Sequence, residues 1–138
     1  MRPLPSHPTM KKWAARLFIV CFAFLWLSFM TSAMSFGACS ENRYQGQKKL
    51  TFCNISIVAG FWIDGSAVDR AKRSRLHLEK GIALTQLGND VQARVEFKRA
   101  LSDAKAHTGP WLERLEDRMA ELHGTHAAEL FATEAALD

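Results

Sequence analysis

The sequence predicts an all-α protein, and three stretches predict it: a long apolar run near the N-terminus, two amphipathic segments flanking Gly88-Asn89, and a strongly amphipathic segment after Pro110. Within LHLEKGIALTQLGNDVQARVEFKRAL, Leu76 to Leu101, the apolar residues Leu78, Ile82, Leu84 and Leu87 recur at helical spacing, and Val91, Ala93, Val95, Phe97, Ala100 and Leu101 do so in the second half. Gly88 and Asn89 tolerate the left-handed backbone in which helices end. Together these residues predict an antiparallel helical hairpin. At 138 residues the chain has room for one small domain behind a targeting segment.

The targeting segment is residues 1–38. Its first ten residues, with three prolines, suit an unpacked lead-in. Lys11, Lys12 and Arg16 then precede LFIVCFAFLWLSFM, Leu17 to Met30, a run of 14 residues in which only Ser28 is polar. A basic segment before such a run marks a secretory signal, with the small residues Ser32, Ala33 and Ser35 offering cleavage after Ala33 or Ser35. Extended to Ala38, the run reaches 22 residues and is long enough to remain as a membrane anchor. The preceding cations favour a cytoplasmic N-terminus and an exported C-terminal domain, a bias that Arg43, Lys48 and Lys49 weaken. A third reading is lipidation, since Phe36-Gly37-Ala38-Cys39 resembles a bacterial lipobox with Phe in place of the usual Leu. Four of the 18 basic residues precede the apolar run, so beyond residue 38 the chain has 14 basic against 14 acidic groups. The net charge of +4 is therefore a property of the targeting end and gives no case for nucleic-acid binding.

Residues 39–66 form a second segment. Cys21 lies inside the apolar run and acts as a small hydrophobe. An exported chain with two further cysteines suggests a Cys39–Cys53 disulfide, two free thiols being the alternative. In Gln47–Gly60, Thr51, Ile55, Ile57 and Val58 favour a strand by propensity. Leu50, Cys53, Ile57 and Val58 nevertheless share one helical face, and Gly60 suits a helix end, so a helix is expected. A connecting loop runs from Phe61 to Ser66, where Ser66 is positioned to cap the next helix.

Residues 67–138 hold the hairpin and the C-terminal helices. From Ser74 to His107, Gly81, Leu84, Gly88, Ala93, Phe97 and Ala100 fall in a pattern that resembles a tetratricopeptide repeat, a 34-residue helix-turn-helix unit. Gly81 and Ala93 match the small residues that let two helices approach, Phe97 the aromatic between turns, and Gly88 the turn glycine. His77 replaces the usual Trp, Lys80 a usually apolar residue, and Lys105 the closing Pro. Cys53, Ile57 and Gly60 likewise resemble the end of a preceding repeat in exported bacterial proteins of this type. The resemblance implies capping helices on either flank and a protein or peptide partner bound in a groove near Arg73, His77, Lys80, Ile82 and Leu84. Self-association of a structural membrane component is the rival reading.

The basic cluster Arg70, Lys72, Arg73 and Arg75 reads either as a solvated face or as a docking patch for an acidic partner or a lipid headgroup. After Pro110, Leu112, Leu115, Met119 and Leu122 line one side of a predicted helix whose remainder is acidic, and Thr125–Leu137 is a short second capping helix or a frayed tail. His123 and His126 straddle Gly124 and so do not form a ligand pair on one helix, and no metal or other cofactor is expected. No phosphate loop, nucleophile motif or isolated carboxylate pair occurs, so catalysis is not expected. The predicted location is the periplasm, or the inner membrane with the C-terminal domain outside the cytoplasm.

Overall fold

The computed structural model describes residues 7–61, 67–106 and 110–137, and among them finds six helices and no strand. They are α1 (His7–Ser40), α2 (Gly46–Phe61), α3 (Ala67–Gln86), α4 (Asp90–Lys105), α5 (Pro110–Ala120) and α6 (His126–Leu137). The expectations for residues 1–6, for the loop at 62–66 with its Ser66 cap, and for residues 107–109 lie outside the described residues.

Helix α1 starts at His7, inside the stretch expected to be unpacked; Pro8 stands in its first turn, where a proline forfeits no backbone hydrogen bond. It is long and apolar enough to cross a membrane. Its side chains from Trp13 to Met30 are almost all exposed. Further along the same helix Ser32, Ser35 and Cys39 are buried, at helical spacing, so its last turns pack against the domain. Cys39 and Cys53 form a disulfide with an S–S distance of 2.06 Å, which leaves no Cys39 thiol for lipid. The β-branched residues of Gln47–Gly60 do form a helix, because Cys53 and Ser56 are buried on one face and the pattern prevails over propensity.

Helix α3 is the centre of the domain and touches every other helix. On one side Leu76 joins Cys39 and Cys53 in a small core against Phe36, Phe52 and Ile57. On the other, Leu78, Ile82 and Leu84 meet Ala93, Phe97, Ala100 and Leu101 of α4, with α5 and α6 adding Leu115, Met119, Leu130 and Phe131. Helices α3 and α4 approach so closely that a Cβ at Gly81 would lie 2.4 Å from the Phe97 ring, and Ser74 donates a buried 3.0 Å hydrogen bond to the Ala100 carbonyl. Phe97 meets Phe131 edge to face, with ring centroids 5.7 Å apart.

The α3–α4 turn is set by its two residues. Gly88 has φ +73°, and the Asn89 and Gly88 amides donate to the Leu84 and Thr85 carbonyls, closing α3 in a Schellman arrangement. The Asn89 side chain then accepts from the Gln92 amide and caps α4. After Gly124 the chain forms a regular helix, α6, whose Leu130 and Phe131 are buried, rather than fraying.

Two side-chain environments on α4 run against residue type. Glu96, polar by type, is buried: it lies three residues after Ala93 and four before Ala100, both fully buried, and the helical period carries it onto the same stripe. Val91 and Val95 are exposed although they keep the apolar spacing, because α4 turns its 93, 97, 100 and 104 side to the core, and Leu87 is exposed in the turn before it.

Candidate functional site

Charged groups inside so small a domain must be paired, and the pairing shows which of them are available for chemistry. Glu79 is fully buried on α3. Lys49 of α2 lies 2.5 Å from its Oε2, and Arg118 of α5 donates through Nε to its Oε1 at 2.8 Å. Arg118 also donates to Glu121 at 2.6 Å and to the side chain of Asn42. Burial would lower the Arg118 pKa, but the hydrogen bonds and charges of Glu79 and Glu121 outweigh it and raise the value. Three helices are thus tied through one carboxylate, and Arg118 adds the α1–α2 connection through Asn42.

A second cluster surrounds Glu96. His77 Nδ1 lies 2.6 Å from one carboxylate oxygen, and Lys80 and Arg99 lie 3.1 Å from the other. Burial pushes the Glu96 pKa upward; hydrogen bonds from His77 and Lys80 exceed that effect and hold it below the ordinary carboxylate value. Neither cluster contains a nucleophile or an unpaired base. Both act as bolts between helices.

The residues singled out from sequence occupy different environments. Gly81, Leu84, Ala93, Phe97 and Ala100 are buried at helix contacts, and Gly88 makes the turn. Ile82 and Leu84 belong to the core, His77 and Lys80 hold Glu96, and Arg73 is partly covered with its Nε lacking a hydrogen-bond partner. These five residues do not line one open groove. His126 lies 2.7 Å from Asp90 of α4, while His123 is exposed; no group of three metal-ligating side chains occurs among the described residues.

Two open features bear on binding. The first is the outer face of α4, where Val91 is 78 % and Val95 45 % exposed. The second is a cavity of about 280 Å³ where α1, α3 and α5 meet, with Phe36, Leu78 and Trp111 as apolar walls and Lys72, Arg75 and Arg114 as cations. Lys72 Nζ stands 5.2 Å from the Phe36 ring centroid and 3.4 Å from Ser32 Oγ, and the Arg114 guanidinium lies 4.3 Å from the Trp111 ring. Glu79 and Arg118 were not singled out from sequence, though the signal was present: Glu79 falls three residues after Leu76 and three before Ile82, on an apolar stripe where an acid must find a buried cation. Comparison with known proteins adds no relative: no family model, curated protein or solved structure matches the chain.

Proposed function

We propose that this chain is an exported helical module that stays anchored by α1 and binds another protein, with α3 and α4 serving as one tetratricopeptide-like unit. The outer face of α4 carries the proposal. Val91 and Val95 lie four residues apart there and stay uncovered, whereas the repeat-pattern residues Gly81, Ala93, Phe97 and Ala100 are consumed in helix contacts. A partner helix or peptide laid along that stripe would cover it. Pairing of the buried carboxylates Glu79, Glu96 and Glu134 supports a binding role over a catalytic one.

Retention of α1 is supported by the small residues near its end. Ser32 and Ser35 fit a cleavage signal by type, yet both are buried against the domain, and Ser32 meets Lys72. Cutting after Ala33 or Ser35 would remove those contacts. The disulfide and the apolar helix together suit an oxidising compartment reached through a membrane.

The test is photocrosslinking in cells from residues substituted at 91 and 95, with position 133 on α6 as the control. A discrete adduct from 91 and 95 that is absent at 133, and lost when Val95→Arg is combined with the probe at 91, is the expected result. An adduct of twice the chain mass would replace this reading with self-association. Equal labelling at all three positions, or none, would remove it. Intact mass of the purified chain settles the anchor: the full-length value is expected, and a species beginning at Met34 or Phe36 would mean cleavage.

A further inference from the structure

We propose that the cavity between α1, α3 and α5 holds the phosphate headgroup of an anionic membrane phospholipid, with its acyl chains left in the bilayer. The inference rests on α1 remaining in the membrane. Two observations locate the cavity relative to the bilayer. The exposed stretch from Trp13 to Met30, apolar apart from Arg16 within one turn of its start and Ser28, spans about 27 Å at 1.5 Å per residue, and a long basic side chain so near the end reaches the interface. Phe36, on the cavity wall, lies six residues beyond Met30 on the same unbroken helix, or about 9 Å further. Measured from Trp13, Phe36 stands about 35 Å along the helix, about 5 Å beyond a hydrocarbon layer of about 30 Å, and headgroups occupy about the next 5 to 8 Å, so the cavity mouth stands at their level.

Parallel packing of α3 along α1 brings the basic residues to that same level. Leu76 of α3 packs beside the Cys39–Cys53 bridge, so the four residues that lead back to Lys72 run toward the membrane, and Lys72 touches Ser32 and Phe36. Arg75 and Arg114 complete the set. Among the described residues none of these three cations contacts a carboxylate, and no carboxylate lines the cavity; Arg118, at its back, is already paired with Glu79 and Glu121. Three unmatched cations on an aromatic wall are complementary to a phosphate with a glycerol or acyl stem. At about 280 Å³ the space is near the lower end of ligand cavities, about 300 Å³, and suits a headgroup rather than a whole lipid. Trp111, stacked under Arg114, supplies the amphipathic ring favoured at membrane interfaces.

The experiment is native mass spectrometry of the full-length chain released from nanodiscs that contain phosphatidylcholine and phosphatidylglycerol in equal amounts. Retention of one phosphatidylglycerol in preference to phosphatidylcholine is expected. Lys72→Gln, Arg75→Gln and Arg114→Gln should each reduce that retention about fivefold, matching about 1 kcal/mol for each basic residue near anionic lipid. Lys98→Gln, an exposed change on α4, should leave it unchanged. Circular dichroism melts of each variant keep loss of folding apart from loss of binding. Equal retention of both lipids, an equal fall in Lys98→Gln, or no fall in folded cavity variants would overturn the proposal. Displacement of the lipid by equimolar inorganic phosphate would reassign the cavity to a free anion and overturn it too. The chain mass read in the same spectrum separates failure of the site from failure of the anchor.

Discussion

At the scale of single residues, Gly81, Phe97 and Glu96 separate packing from propensity. Phe97→Ala removes a fully buried ring that contacts both α3 and Phe131, and should cost about 3 to 5 kcal/mol in chemical denaturation. Gly81→Ala adds the better helix former by about 1 kcal/mol, yet its Cβ would press on the Phe97 ring; a lower melting temperature with unchanged helicity is the expected result. Glu96→Ala strips His77, Lys80 and Arg99 of their shared acceptor and should cost about 1.5 to 3 kcal/mol, less than Phe97→Ala. Because the folded Glu96 pKa is depressed, its stabilisation is present above the ordinary value near 4.5 and is lost as pH falls through the lower folded value. His126 behaves with the opposite sign. A hydrogen bond to Asp90 raises its pKa, so its contribution is present below about pH 6.5 and fades as pH rises through the folded value. Proton NMR titration should find His126 above the ordinary value, and Asp90→Asn should lower it.

At the scale of elements, α1 was legible from its apolar run, the later helices because each has buried positions at helical spacing, and the α3–α4 turn because Gly88 and Asn89 have separate capping duties. What periodicity does not disclose is which neighbour covers a given face. Val91 and Val95 read as apolar and stand exposed, while Glu96 reads as polar and is buried, since the facing of α4 is set by its contacts with α3 and α6. The cavity was legible only in part: Lys72 and Arg75 appear in the basic cluster, but Phe36, Trp111 and Arg114 reach them through tertiary packing of α1 and α5. The tie among α2, α3 and α5 has its own test. Glu79→Gln leaves Lys49 buried with no counter-charge and Arg118 with only the exposed Glu121, and should cost about 3 to 5 kcal/mol, whereas replacing Lys49, Glu79 and Arg118 together with Met, Leu and Met should restore most of the loss. Thermal melts of the two variants decide it.

At the scale of the whole molecule, the disulfide joins the long apolar helix α1 to α2, the first helix after it. It closes a loop of 14 residues' separation, and in the chain-entropy model contributes about 3 kcal/mol; reduction, or Cys39→Ser with Cys53→Ser, should lower the melting temperature while Cys21→Ser should not. Helix α1 passes from exposed apolar surface to packed interior with no interruption between His7 and Ser40. Such a shaft transmits azimuth: with α1 held in a bilayer as proposed, whichever way it is turned the domain is turned with it. One residue inserted after Met30 would rotate the domain by about 100° and lift it about 1.5 Å, whereas four would return it to within about 40° of its starting direction. A partner fixed in the same membrane would lose contact with the first insertion and largely regain it with the second, while a freely diffusing partner would register neither.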